Sequence, residues 1–253
     1  MQDEAQRDAY GRAAGLWKQS RFPIVFTGAG VSVASGIPDF RSPGGLWSKY
    51  DPMKVATAEA LQTDPHAVWE FLLETADLLQ SCQPNAAHTT LANLEQQHGL
   101  GGVITQNVDN LHQRAGSSEV VEFHGNFERF YCQECGKRED RPRVQDKASQ
   151  AIPPWCDTCN SFIRPDVVFF GEAIPEYALQ RTQELVRKAD LILIAGTSGE
   201  VAPANTIPRE VKMKGGRIIE VNKGMTYFQE ITDVRFDGPV EEILPQFIEH
   251  LTE

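Results

Sequence analysis

Two cysteine pairs, Cys132-x-x-Cys135 and Cys156-x-x-Cys159, are separated by twenty residues. Four thiolates in two knuckles suit tetrahedral zinc, and with sulfur at every position no coordination site is left for water. Such a metal is structural. Gly136 follows the first pair, where a tight knuckle needs a small residue. A redox dithiol is the other use of C-x-x-C. It needs a helix N-terminus to lower a thiol pKa, and the turns around Pro153-Pro154 suggest none. Residues 129–147 hold six basic and four acidic side chains, too balanced to grip a phosphate backbone. The fifth cysteine, Cys82, reads as a core thiol.

A second group of candidates lies where apolar runs end. Pro23–Thr27 (PIVFT) runs into Gly28-Ala29-Gly30-Val31-Ser32. Glycines there let backbone approach a phosphate, although a lone G-x-G fits a tight turn equally well. The run Leu191–Ala195 (LILIA) is followed by Gly196-Thr197-Ser198, and Arg217–Val221 (RIIEV) by Asn222-Lys223-Gly224. Three strand ends with small or hydrogen-bonding residues favour a nucleotide site, because open α/β sheets bind ligands at that edge. Val33 replaces the third glycine of G-x-G-x-x-G, and the next strand comes about 75 residues later. Both features depart from the hydride-transfer arrangement. Thr105-Gln106-Asn107-Val108-Asp109 leaves another apolar run. Asp109 fits a helix cap as well as a ligand contact; Gln106 and Asn107 are harder to assign to capping. Of six histidines, His124 stands at the end of Val120–Phe123, where an imidazole could serve as a general base or simply as a structural side chain.

The elements that position these residues alternate. The runs named above, with Gly102–Thr105 and Val167–Phe170, lack the alternation of half-exposed strands and suit a parallel sheet covered on both faces. His66–Gln80, Ala86–Gln97, Glu176–Lys188 and Pro239–Leu251 have helical periodicity. Trp69, Leu72, Leu73, Ala76 and Leu79 form a core stripe. Asp39–Asp51 (DFRSPGGLWSKYD) reads as a mobile loop and Arg129–Pro165 as a small inserted module.

The 253 residues are enough for one large domain or a domain with a small module. The formal charge of −11 disfavours nucleic acid and accommodates basic partners such as lysine-bearing segments. The polar N-terminus is no signal peptide, and no apolar run approaches the ~20 residues of a membrane span, so a cytoplasmic location is expected.

The segments GAGVSVASGIPDFR (Gly28–Arg41), TQNVDNLHQRAG (Thr105–Gly116), FHG (Phe123–Gly125), the four cysteines, RPDVVFFGE (Arg164–Glu172), GTS (Gly196–Ser198) and VN (Val221–Asn222) together resemble the sirtuins, NAD-dependent protein lysine deacylases of bacterial or archaeal type. The resemblance implies a Rossmann-like parallel sheet with helices on both faces, a small zinc-ribbon module and a helical insertion. Residues 1–39, 101–123 and 166–253 would form the NAD domain, residues 40–100 a cofactor loop and helical insertion, and residues 124–165 the zinc module. It implies consumption of NAD: an acyl-lysine oxygen attacks C1′ of the nicotinamide ribose, nicotinamide leaves, and water resolves the intermediate into lysine and O-acyl-ADP-ribose.

By the same resemblance His124 deprotonates the ribose hydroxyls, and Asn107 and Asp109 hold the nicotinamide end and a water. Gly28, Ala29, Gly30, Ser32, Asp39, Phe40, Arg41, Trp47, Gln106 and Val108 join them around the cofactor. Gly196, Thr197, Ser198, Asn222, Lys223, Gly224 and Val240 surround the adenosine half. An acyl-lysine peptide would add as a strand along Val168, Phe170, Gly171 and Glu172, opposite the loop carrying Glu200. Leu72 and Thr75 occupy the places where the succinyl-preferring branch has Tyr and Arg, so acetyl or another neutral acyl group is expected. Gly199-Glu200 departs from the apolar pair of many members, and Glu200 would favour basic residues near the target lysine. Mono-ADP-ribosyl transfer and removal of longer neutral acyl groups are the alternative activities.

Overall fold

A computed structural model describes residues 2–39 and 44–252. The expectations placed on Phe40 and Arg41 therefore lie outside the described residues. The strands are β1 (Pro23–Thr27), β2 (Val103–Thr105), β3 (Val120–Glu122), β4 (Gly125–Cys132), β5 (Arg138–Glu139), β6 (Ile163–Val167), β7 (Leu191–Ala195), β8 (Arg217–Asn222) and β9 (Val234–Asp237). Six of them form an all-parallel sheet in the order β3-β2-β1-β7-β8-β9. This is the doubly wound order, with direction reversing between β1 and β7. The crevice at that reversal opens where the Gly28–Gly30 and Gly196–Ser198 turns leave the sheet.

β1 and β7 are buried at every position. Their alternate side chains enter two separate cores. Val25, Leu193 and Ile219 face helices α1 (Gln2–Gln19), α6 (Ala86–Gln97) and α11 (Val240–Thr252). Ile24, Phe26, Ile192 and Ile194 face α9 (Glu176–Lys188) and α10 (Thr206–Met213). Each fully buried aliphatic side chain contributes about 1.5–3 kcal/mol, so two-sided burial makes these strands the rigid base of the site. The periodicity of the sequence does not mark α1 as a helix. It buries Tyr10, Ala13, Ala14 and Trp17 and packs Ala9 and Leu16 partly buried beside them.

A third core joins the short helices α2 (Leu46–Lys49), α3 (Pro52–Val55) and α4 (Ala58–Thr63) and the long α5 (Pro65–Ser81) to the cysteine-bearing sheet β5-β4-β6. Asp64 caps α5, accepting from the Ala67 N–H at 3.1 Å, with Pro65 in the first turn. Trp69, Leu72 and Leu79 point into this core beside Phe127, Phe130, Cys132, Cys156 and Phe169. α8 (Arg141–Gln150) adds Val144, and α7 (Leu111–Arg114) is a single turn after β2.

Two sequence expectations change. The segment 39–51 is not loop throughout, since it includes α2. Val167–Phe170 is not a strand of the parallel sheet. The strand there is β6, which pairs antiparallel with β4 and ends at Val167, opposite Gly125 in the register. Beyond it Phe169 enters the third core, while Phe170 is 45% exposed and bridges to Thr57. The apolar run divides between core and surface, because its backbone leaves the sheet part-way along.

Candidate active site

The catalytic candidate His124 sits between two backbone anchors. Its carbonyl accepts the Val168 N–H at 2.9 Å. Its Nδ1 lies 3.1 Å from the Gln106 carbonyl, which can only accept, so Nδ1 carries the proton. Nε2 is then the basic nitrogen. Burial lowers the His124 pKa below its ordinary value, partly offset by the bond to Gln106, so the ring is neutral and able to take a proton at pH 7.

Gln106 and Asn107 cross the crevice floor. Gln106 Nε2 donates to Thr197 Oγ1 at 2.9 Å and to the Thr27 carbonyl at 3.2 Å. Asn107 Nδ2 donates to the Gly28 carbonyl and to Ser32 Oγ, both at 3.1 Å. Gly30 and Gly196 explain why the turns are glycine. The Gly30 N–H donates to the Gly196 carbonyl at 2.8 Å, and a Cβ on Gly196 would come within 2.3 Å of the Val31 nitrogen. These glycines let the two turns touch each other, a role beyond the phosphate approach that G-x-G suggests.

Ser32, expected among the cofactor contacts, is buried and faces inward. Its hydroxyl donates to Asp109 Oδ2 at 2.7 Å and lies 3.4 Å from His88 Nε2. Asp109 Oδ1 accepts the Leu111 N–H at 2.9 Å from one residue before the cap position of α7, which is Asn110, while the other oxygen meets Ser32. Burial raises the Asp109 pKa against these bonds. His88 closes a capping box at the start of α6: its Nδ1 accepts from the Asn85 N–H, which leaves Nε2–H to donate to Ser32. His112 Nε2 lies 2.9 Å from Thr27 Oγ1, which donates to Thr105 Oγ1 at 2.8 Å, and Thr105 Oγ1 accepts the Asn107 N–H at 3.1 Å. The two imidazoles meet edge to face at 4.9 Å. This layer supports Asn107 and Asp109 from behind. Its histidines read as ordinary helix residues because their partners are 56 and 85 positions away.

Burial pushes His88 down to about 4 and His112 to about 3. In the unfolded chain both rings charge near 6.5, so the fold binds fewer protons below that pH. Their contribution to stability is complete above pH 6.5 and is lost as pH falls toward 4. For His88 alone the loss is about 3 kcal/mol. Asp109 acts in the opposite sense, because protonation relieves the cost of burying its charge. Melting temperature should therefore drop steeply between pH 6.5 and 4; a flat profile over that window would contradict the neutral buried pair.

The four cysteines come together as the spacing demands. Their sulfurs all lie within 4.8 Å of one another, with Cys132–Cys159 at 3.3 Å and Cys135–Cys156 at 3.8 Å. Sulfurs 2.3 Å from a tetrahedral zinc are about 3.8 Å apart, so the cluster fits the ion. The Gly136 N–H bonds to the Cys132 carbonyl and the Asn160 N–H to the Cys156 carbonyl, each at 3.0 Å, closing two equivalent knuckles.

The remaining candidates divide. Asn222 is buried at the end of β8 and its Oδ1 accepts the Thr197 N–H at 2.7 Å, while Lys223 and Gly224 are exposed beyond it. Ala29 and Ser198 line the same turns. Val240 has its side chain in the core and can offer a ligand only backbone at the start of α11. The Asp39 carbonyl accepts the Leu46 N–H at 2.8 Å, and Trp47 and Val108 pack against the third core. Gly171 follows Phe170 in left-handed conformation. Glu172, expected to contact substrate, has both side-chain oxygens engaged elsewhere. Arg164, 1% exposed, grips it bidentately at 2.5 and 2.8 Å, and the Phe169 N–H donates to it at 2.9 Å. The carboxylate is committed to these partners and holds the 167–172 segment in shape. Gly199 has φ +82, and a Cβ there would strike the Phe228 ring at 2.6 Å. The Phe228 ring therefore occupies the space that a side chain at position 199 would need. Glu200 is exposed beside it.

Comparison with known proteins agrees with this fold. The Sir2 family sequence model matches residues 28–203. The chain belongs to the Sir2 family. An NAD-dependent protein deacylase of Thermococcus kodakarensis is 45% identical over 94% of both chains. An NAD-dependent protein deacetylase of Sulfurisphaera tokodaii is 46% identical over 92% of both. Among solved structures, a variant Sir2 homologue in complex with ADP-ribose superposes with a TM-score of 0.90 at 38% identity, covering 95% of this chain and 96% of that one. A complex of Sir2 with a p53 peptide and NAD+ does so with a TM-score of 0.87 at 38% identity, covering 94% and 96%. Within this family the Rossmann-like sheet and the four-cysteine zinc site are one architecture.

Proposed function

We propose that this member of the Sir2 family is an NAD-dependent protein lysine deacetylase in which His124 is the general base. The observation that carries the reading is His124 with Nε2 unprotonated, hydrogen-bonded to Gln106 at the mouth of a switch-point crevice floored by Asn107 and Asp109. NAD supplies a ribose whose bond to nicotinamide breaks as the acyl oxygen attacks C1′. The crevice turns hold the dinucleotide, with Asn107 and Asp109 at the nicotinamide end and Thr197, Ser198 and Asn222 at the adenosine end. Fixing both ends converts the attack into a positioned, effectively unimolecular step. His124 accepts the ribose hydroxyl proton at Nε2, and its imidazolium is compensated by the Gln106 carbonyl on Nδ1.

The domain division supports the same picture. All six parallel strands fall in residues 1–39, 101–123 and 166–253, the proposed NAD domain, with α6 adding to its helical layer. The helices α2–α5 and the zinc module flank the crevice, sharing the third core. No described helix is long and apolar enough to cross a membrane, and the reading places the enzyme in the cytoplasm, acting on acetylated lysine segments without membrane or nucleic acid.

Purified protein mixed with NAD and an acetylated peptide should yield nicotinamide, free lysine and O-acetyl-ADP-ribose together. Label transferred to a protein acceptor would select mono-ADP-ribosyl transfer, and binding without turnover an NAD-sensing module. NADH as product would end the reading.

The acyl preference follows from α5. Leu72 is buried in the third core and Thr75 directs its hydroxyl to the Phe71 carbonyl at 2.8 Å, so neither brings a positive charge. Burying a carboxylate-bearing acyl group unpaired is costly. kcat/KM should be at least about tenfold higher for acetyl-lysine than for succinyl-lysine. A succinyl preference would refute this, and a butyryl peptide in the same panel measures tolerance of longer neutral chains. Glu200, beside the proposed peptide strand, should favour basic residues near the target lysine; a preference that Glu200→Gln leaves unchanged removes that role.

A further inference from the structure

Glu220 lies on β8 with 0% exposure, and nothing in the reaction itself calls for a carboxylate there. Three hydrogen-bond donors and one cation converge on it. Thr226 Oγ1 donates to Oε1 at 2.5 Å and Asn222 Nδ2 to the same oxygen at 3.2 Å; Thr232 Oγ1 donates to Oε2 at 2.8 Å. Arg235 Nε stands 3.9 Å from Oε1. Arg235 also donates to the Gly224 carbonyl, and Asp237 accepts the Gly224 N–H at 2.8 Å. The loop of residues 223–228 is thus held by the buried Glu220 together with the partly exposed Arg235 and the exposed Asp237.

The decisive contact is the one to Asn222. A backbone N–H only donates, so the Asn222 oxygen must face Thr197, which it does at 2.7 Å. A carboxylate only accepts, so the Asn222 amide nitrogen must face Glu220. The two constraints together permit one orientation of the amide. That orientation ties the turn after β7 to the turn after β8, the two turns assigned to the adenosine half of NAD.

We propose that Glu220 is a positioning residue for adenosine binding: it orients the Asn222 amide and, through Thr226 and Thr232, the loop that follows. The proposal rests on the assignment of Asn222 to the adenosine side and adds the group that acts through it.

The test compares wild type, Glu220→Leu, Asn222→Asp and the double variant Glu220→Gln/Asn222→Asp. KM for NAD and kcat at saturating peptide are measured with ADP-ribose affinity and melting temperature. Glu220→Leu should raise KM for NAD and weaken ADP-ribose about tenfold, the loss of one buried charge-assisted bond, with kcat within about twofold. Asn222→Asp should likewise raise KM for NAD and weaken ADP-ribose, because it sets two carboxylates against each other. In the double variant the Gln amide donates to the Asp while the Asp still accepts from Thr197, so affinity should recover to within about threefold of wild type. A merely structural role predicts no such rescue. An unchanged KM for NAD in Glu220→Leu, or a double variant no better than Asn222→Asp, overturns the proposal; if Glu220→Leu fails to fold, the second comparison decides. Asn222→Asp with undiminished ADP-ribose affinity would instead overturn the adenosine assignment itself, and the proposal with it.

Discussion

Replacing His124 by alanine should lower kcat for release of the acetyl group about 10³-fold, with zinc content, melting temperature and NAD affinity close to wild type. The size follows from losing a positioned general base. The ring hydrogen-bonds the Gln106 carbonyl and approaches Phe123 edge to face at 5.4 Å, while its anchoring bond to Val168 is made by backbone. Alanine keeps that backbone bond. The base acts on the ribose hydroxyls after the bond to nicotinamide has broken, so exchange of labelled nicotinamide in the presence of peptide should fall much less than lysine release. The pH profile checks the same assignment. Because burial lowers the His124 pKa, the wild-type rate should stay level through pH 7 and fall only below the ordinary imidazole value of about 6.5. A variant that deacetylates within tenfold of wild type would show that another group removes the proton.

Removing zinc should abolish peptide turnover while sparing much of nucleotide binding. Cys132 and Cys156 belong to the third core, where they pack with Trp69 and Leu72 of α5 and with Phe169 of the segment proposed to receive the peptide. Metal binding to such a site is folding free energy on the order of 10 kcal/mol, so its loss disorganises everything sharing that core. None of the cysteines lies in the two cores that flank the parallel sheet. One zinc per chain is expected by elemental analysis. After chelation, the near-ultraviolet tryptophan signal should change and activity should vanish, ADP-ribose should still bind with at most a few-fold loss, and zinc should restore turnover. Metal-free protein that still deacetylates its peptide would contradict the structural role, as would a redox couple between the thiols that accounts for turnover.

Much of the site was legible along the chain because the signals are local. C-x-x-C spacing places two thiolates on one turn; the first knuckle closes as Gly136 suggests, and the second closes on Asn160 at φ 58. PIVFT and LILIA are buried on both faces, as uninterrupted apolar runs imply. Gln106, Asn107 and His124 are marked by their position at strand ends, and the structure brings all three to one crevice. The reading fails where one segment serves two environments. VVFF divides between β6, core and surface. Ser32 and Glu172 carry the right chemistry for ligand contacts, yet both direct their side chains at protein partners.

By itself the sequence determined five of the six parallel strands, the helices α5, α6, α9 and α11, the metal cluster and the family, since each depends on residue types at short fixed spacing. Only the tertiary structure decided the strand order that opens a crevice between β1 and β7, and the pairing of Gly30 with Gly196 across it. It also decided the layer of His88, His112, Thr27 and Ser32 behind Asn107 and Asp109, and the carboxylate of Glu220 beneath Asn222. The reason is physical: a hydrogen bond between residues far apart in the chain leaves no periodic trace, and a buried polar side chain looks like any other until its partner is brought to it.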